Sequence, residues 1–189
     1  EKSYPIFNYT FKYYPLITIL YMDLKMKSSM IKKPSLVVRN ATIDDATAIN
    51  ELLDSNYPHF ETDDNEVVRS QITNFPQGQF VVTSDDRVVG YCCTMRVSGA
   101  VALNPHTWDE ITSNGYCNNQ DPHGDYLYGV ETCVAPDFRD RHIGHRLYNF
   151  RKELCIKLRL KGIIIGGRLV KYSEEKKNVG SIDNYIENL

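Results

Sequence analysis

Hydrophobic and polar positions alternate along this chain with two different periods. Leu36-Val-Val-Arg39 is a short apolar run that predicts a first strand. Thr42-Ile-Asp-Asp45 then caps a helix through about Leu53, with Ile49, Leu52 and Leu53 on one face and acids in the first turn. Asp63 to Ile72 predicts a second helix. Gln79 to Thr83 and Val88 to Val97 are apolar strands joined by the turn Ser84-Asp-Asp-Arg87. Pro105 to Ile111 predicts a short helix inside a long insert that ends in the polar loop Asn118 to Gly124. Tyr126 to Val134 is a further strand. From Gly144 to about Leu160, Leu147, Phe150, Leu154 and Leu158 recur at helical spacing. Arg151, Lys152, Lys157 and Arg159 are expected on the exposed face of that helix. Lys161-Gly162 ends it, Ile163-Ile-Ile165 starts a buried strand, and a polar loop from Ser173 to Val179 precedes a last helix capped by Ser181. This succession of strand, helix and strand predicts an α/β fold in layers.

Composition changes this picture little. The chain has 189 residues, enough for one domain with a substantial core. A formal net charge of −2 gives no reason to expect nucleic acid. The local charge is more telling: Arg139 to Lys161 holds eight Lys/Arg against two acids, a basic island that suits a compact anion. At its start, the strand ending Val130-Glu-Thr-Cys-Val-Ala-Pro136 runs into Asp137-Phe-Arg-Asp-Arg-His-Ile-Gly-His-Arg-Leu147. A turn of this kind aims unpaired backbone N–H groups and a helix dipole at whatever sits in front of it, which favours a phosphate. Arg139, Arg141, His142, His145 and Arg146 add side-chain charge around the same spot. A solvated basic surface is the plain alternative.

Five cysteines, Cys92, Cys93, Cys117, Cys133 and Cys155, lack metal-site spacing and are expected as buried, reduced thiols of a cytoplasmic protein. Cys117 with His123 makes half a metal site without a second pair, so no metal is expected. Residues 1–35 are expected to lie outside the fold as a leader, with residues 36–189 forming the domain. Within the leader, Tyr13 to Met22 is apolar for ten residues and contains Pro15, whereas a helix spanning a bilayer needs about 20. No membrane association is expected.

Arg139-Asp-Arg-His-Ile-Gly144 resembles the Q/R-x-x-G-x-G/A signature of the GNAT acetyltransferase superfamily, with His142 standing at the first Gly. The preceding Val134-Ala-Pro136 and the opening Arg39-Asn-Ala-Thr-Ile-Asp-Asp45 are similar to the same family. Five further segments resemble one subgroup, the acetyltransferase-like domains fused to bacterial carbon–nitrogen hydrolases. They are Asn74 to Phe80, Val89 to Ser98, Pro105-His-Thr-Trp108, Asn114-Gly-Tyr116 and Lys161 to Leu169. The resemblance implies a mixed, mostly antiparallel central sheet flanked by helices. Family members continue with two more strands after the helix at Ser181, so the domain is expected to be truncated, leaving Ile163 on an exposed edge.

The resemblance also implies acetyl-CoA as cosubstrate, its pyrophosphate on the backbone amides around Arg141, His142, Ile143, Gly144, His145 and Arg146. The pantetheine arm would pair with the strand, and an N–H near Cys133 or Val134 would face the oxyanion. Acyl transfer to an amine further needs a base and an acid. Glu131, in an otherwise apolar strand whose burial would raise its pKa, is the candidate base, or else a structural carboxylate paired with a neighbouring Arg or N–H. Tyr172, in a loop, stands near where the family places an acid. Cys133 as a nucleophile lacks a His partner and reads better as core. Trp108 reads as packing, in an insert placed where an acceptor pocket would form. Three functions stay open: an acetyl-CoA-dependent transferase acting on an unidentified primary amine, an acyl-CoA-binding regulatory module beside a fused or neighbouring hydrolase, and an inactive fragment of such a protein.

Overall fold

The computed structural model describes residues 35–57, 65–167 and 172–187. The expectation for residues 1–35 thus lies almost wholly outside the described residues. Five strands form one sheet in sequence order: β1 (Leu36–Asn40), β2 (Phe80–Ser84), β3 (Arg87–Val97), β4 (Tyr126–Val134) and β5 (Gly162–Ile165). The first four pair antiparallel and β5 joins β4 in parallel. This is the mixed, mostly antiparallel sheet expected. β5 forms one edge of the described sheet, with Ile165 exposed.

The helices α1 (Ala46–Asn56) and α2 (Asn65–Asn74) cover one face. The short helices α3 (Gly99–Ala102) and α4 (Trp108–Thr112) belong to the insert between β3 and β4, and α5 (Ile143–Lys157) follows β4. Two further helices, α6 (Tyr172–Val179) and α7 (Ile182–Glu187), follow β5. The segment expected as a polar loop from Ser173 to Val179 is therefore helical: Glu and Lys have good helix propensity, and a polar composition does not oppose a helix. Ser181 caps α7 as expected, its hydroxyl accepting from the Asn184 N–H at 3.1 Å.

Entry into α1 is fixed by charge. A 3₁₀ turn, Ile43–Asp45, precedes it, and Asp45 returns to the Thr42 N–H at 2.7 Å. Arg39 on β1 grips both Asp45 oxygens, each at 2.7 Å. The Arg39 hydrogen bonds hold the Asp45 carboxyl down at about 2, against the opposing effect of burial and with help from Thr42.

The face of α5 that packs on the sheet carries Ile143, Leu147 and Leu154, and also Arg151, which is 1% exposed. Arg151 thus corrects the expectation of an exposed basic residue. Its Nε donates to Thr94 Oγ1 at 3.0 Å, and one terminal nitrogen donates to the Cys93 and Glu131 carbonyls and to Thr132 Oγ1, each at 3.1 Å. A buried cation needs such saturation. Gly129 makes room for it, since a Cβ there would sit 2.9 Å from the guanidinium.

Around these acceptors the β3–β4 register shifts. Cys93 faces Glu131, yet Thr94 faces Gly129, so Val130 is an extra residue on β4. Cross-strand partners share a face. Tyr91 reaches Gln71 on α2, which places Tyr91, Cys93 and Met95 on the α1/α2 face, and with them Cys133, Glu131 and Tyr128. Gly129 and Thr132 fall on the α5 face, toward Arg151. The bulge thus brings Tyr128 and Glu131, three positions apart, to the same side.

Two predictions follow from these buried charges. Arg151→Leu leaves two carbonyls and two hydroxyls without their donor, and is expected to cost about 3 kcal/mol, read as a melting temperature roughly 6–12 °C lower. Asp45→Asn is expected to cost about 1 kcal/mol at neutral pH, the half-exposed Arg39 side chain limiting the effect. Because the folded carboxyl is depressed, that stabilisation is complete above the unfolded value of about 3.9 and fades as pH falls through about 2. Melting curves of the two proteins should therefore converge at the acid end.

Candidate active site

β4 and β5 part just where the bulge begins. Their pairing ends at Gly129 opposite Ile165, so residues 130–134 have no partner on that side within the described sheet. The Ala135 N–H donates to the Val89 carbonyl at 2.9 Å. By the two-residue alternation of a strand, Cys133 also directs its backbone groups to β3, whereas Thr132 and Val134 direct theirs to the open edge. Of the two amides expected near an oxyanion, Val134 is the one that faces outward. The Thr132 N–H is already taken by Glu131 Oε1 at 2.7 Å.

Past Val134 the chain makes a 3₁₀ turn at Pro136–Phe138 and enters α5 through His142. His142 has φ 58° and ψ 22°, a left-handed conformation that glycine adopts without penalty. This explains why the signature asks for glycine at this position: the backbone conformation is retained here at the expense of strain. The His142 side chain makes no capping bond. The bond that opens the helix is the Arg146 N–H donating to the His142 carbonyl at 3.2 Å. The N–H groups of Ile143, Gly144 and His145 precede that bond and point out of the helix start. A Cβ placed on Gly144 would meet no atom of the described residues within 4 Å. The protein's own packing therefore does not demand glycine there.

The basic side chains divide into braces and free ends. Arg139 donates to Asn56 Oδ1 at 2.9 Å, tying the turn to the end of α1. Arg141 lies 4.5 Å from the Phe138 ring centroid, and Arg87 pairs with Asp137 at 2.7 Å. His142, His145 and Arg146 are exposed. The turn is thus held by cations on its flanks while its amides and imidazoles face solvent.

On the α1/α2 face, Glu131 is half-buried and accepts from the Tyr57 hydroxyl at 2.9 Å. Cys133 is buried beside it, and burial pushes its thiol far up, so it holds its proton. That favours the reading of Cys133 as core. The other four cysteines are likewise buried and free, as expected. From the insert, the Trp108 Nε1–H donates to the Val130 carbonyl, the bulge residue, at 3.2 Å. Next to it His106 Nε2 lies 3.2 Å from the Tyr128 hydroxyl. Tyr172 begins α6 instead of lying in a loop, and its ring packs on Tyr185 with centroids 5.3 Å apart. Among the described residues, no group of three His, Cys, Asp or Glu side chains is placed to hold a metal, and no helix is long and apolar enough to cross a membrane.

The structure brings Glu131, Cys133 and Val134 onto one strand end, with residues 139–146 following. It also adds three residues that sequence reasoning passed over. Arg151 had a signal, because it sits four after Leu147 and three before Leu154 on the packed face. Tyr57 and His106 had none, since their partners lie 74 and 22 residues away.

The acetyltransferase (GNAT) family model matches residues 46–170. The chain belongs to this family. Two relatives come from Bacillus subtilis (strain 168). The chain is 38% identical over 157 residues to probable hydrolase YhcX, covering 82% of the chain and 30% of that protein. It is 29% identical over 162 residues to the uncharacterised N-acetyltransferase YkwB, covering 84% and 71%. The chain therefore spans under a third of the first relative's length. Among solved structures, the GphF GNAT-like decarboxylase in complex with isobutyryl-CoA superposes with a TM-score of 0.69 over 80% of this chain and 76% of that one, at 21% identity, a likeness of fold. The GNAT fold expected from the turn at 139–144 is thus present, and the likeness to YhcX fits the hydrolase-fused subgroup.

If His142 carries left-handed strain, His142→Gly should stabilise the domain. The expected gain is about 1 kcal/mol, or roughly 2–4 °C in melting temperature. An unchanged or lowered melting temperature would show that the imidazole's own contacts outweigh the backbone.

Proposed function

We propose that the chain is an acyl-CoA-dependent N-acyltransferase that moves an acetyl group from acetyl-CoA to a primary amine by direct attack. The observation that carries this reading is the empty space in front of Gly144. The position is glycine, yet no atom of the described residues requires it, and the outward N–H groups of Ile143, Gly144 and His145 surround the same space. Glycine there lets an anion approach the backbone closely. In this reading the pyrophosphate of coenzyme A lies on those amides, with Arg139, Arg141, His142, His145 and Arg146 supplying positive charge around it.

The pantetheine arm then runs along the open edge of β4, where residues 130–134 have no partner strand among the described residues, and pairs as a short extra strand. The Val134 N–H faces the thioester oxygen as negative charge develops on it. The amine approaches from the α1/α2 face, and Glu131 accepts its proton. One Glu131 oxygen is engaged by Tyr57 and the Thr132 N–H, which fixes the carboxylate and leaves the other oxygen for the amine. The family resemblance assigns the proton of the leaving thiolate to Tyr172. As a cytoplasmic enzyme it would work with reduced cysteines.

A second reading is supported by the 38% identity to a probable hydrolase of which the chain covers 30%. There the domain binds acyl-CoA and regulates a fused or neighbouring carbon–nitrogen hydrolase without turning over.

Calorimetric titration with acetyl-CoA and assay of thiol release with a panel of primary amines separate the two. Gly144→Ala should keep or raise the melting temperature, because alanine favours a helix, while weakening acetyl-CoA binding at least tenfold. Binding unaffected by Gly144→Ala would contradict the phosphate role of the turn. Glu131→Gln should leave binding intact and lower kcat about 10²-fold or more. Tight binding by the unmodified chain with no thiol release from any amine would favour the regulatory module.

A further inference from the structure

The imidazole of His106 is held at both nitrogens. Nδ1 lies 2.7 Å from the Asn104 carbonyl oxygen, and Nε2 lies 3.2 Å from the Tyr128 hydroxyl. A carbonyl only accepts, so Nδ1 carries a hydrogen whatever the charge of the ring. Nε2 is then the one position where the ring gains or loses a proton, and that position faces Tyr128. When the ring is neutral, Nε2 accepts and the phenol proton points at it. When the ring is charged, Nε2–H donates to the phenol oxygen, and the phenol proton is free to point elsewhere.

Elsewhere means the fork between β4 and β5. Tyr128 pairs with Ile164, one position before the strands part, and its hydroxyl lies 3.4 Å from where a Cβ on Gly166 would stand. The oxygen is thus beside the first residue after β5. Tyr128 is 3% exposed, and burial raises its phenol above the ordinary value, so it stays protonated while serving as a donor. The bulge at Val130 sets Tyr128 on the same face as Glu131.

We propose that Tyr128, charged with a proton by His106, is the acid that protonates the thiolate leaving in acyl transfer. This rests on the acyltransferase reading above and replaces Tyr172 in that role. The sulfur takes the phenol proton as an S–H bond forms. The phenol oxygen takes the Nε2 proton in the same motion, and the ring is left neutral. Solvent recharges it, since His106 is only half-buried. Tyr128 is the catalytic residue here and His106 a positioning residue that sets the direction of the phenol proton.

Among the described residues, the titratable groups facing the ring are Tyr128 on β4 and Glu110 on α4. Hydrogen bonds from the Thr107 N–H and hydroxyl hold the Glu110 carboxyl low, and the nearby ring adds to this. Glu110 is therefore an anion near the ring. Activity needs the charged ring.

The test uses the full chain, acetyl-CoA and the amine that gives most thiol release. Tyr128→Phe and His106→Gln should each lower kcat about 10²-fold without changing KM for acetyl-CoA. A kcat left unchanged by Tyr128→Phe or by His106→Gln would overturn the proposal. Nitrogen NMR of the ring gives a readout free of turnover. Nδ1 should carry a proton, and the Nε2 signal should shift in Tyr128→Phe. Absence of that shift overturns the pair. Absence of thiol release from every amine, with the shift present, overturns the acyltransferase reading and with it the assigned role.

Discussion

Val130, the extra residue on β4, is the constraint on which the rest of the site depends. A regular strand would send Tyr128 and Glu131 to opposite faces of the sheet. The bulge turns both toward α1 and α2, and it coincides with the point where β5 lets go of β4. It also frees a carbonyl that the Trp108 indole takes up, which ties the insert between β3 and β4 to the strand. One register shift therefore sets the face that carries Tyr128 and Glu131, opens an edge of backbone and docks the loop beside it.

The bulge is held from behind by Arg151. Its guanidinium bonds to groups on both strands at the level of the shift, so β3 and β4 cannot slide into regular register without stranding a buried cation. Gly129 is the complementary accommodation, because any side chain there would occupy the guanidinium's place. The same helix that buries Arg151 presents its amino-terminal amides at the end of β4. Helix α5 thus links the packing that shapes the strand to the turn proposed to hold the cofactor.

Much of the fold was legible in the sequence because it is written in short-range periodicity. The strand Tyr126–Val134, the hairpin of β2 and β3 and the amphipathic α5 appear where alternation and helical spacing place them. The turn at 139–144 was legible because its residues are consecutive. Even His142, which departs from the signature, adopts the backbone conformation that the missing glycine would have had. The α6 segment was misread because a polar stretch carries no apolar stripe to betray a helix. Arg151 was misread because charge was taken as exposure, although its position lay on the packed face. Gly129 inside a strand was the available hint of the bulge. The pairs Tyr57–Glu131 and His106–Tyr128 join distant segments, and no local pattern announces them.

The central claim is that coenzyme A occupies the opened edge of β4 and the start of α5. Amide hydrogen exchange resolved to single residues, with and without saturating acetyl-CoA, tests it most directly. Slowed exchange is expected at Val134, Ile143, Gly144 and His145, with α1 unchanged at its core. Saturable binding that leaves exchange from residue 130 to 146 unaltered would contradict it.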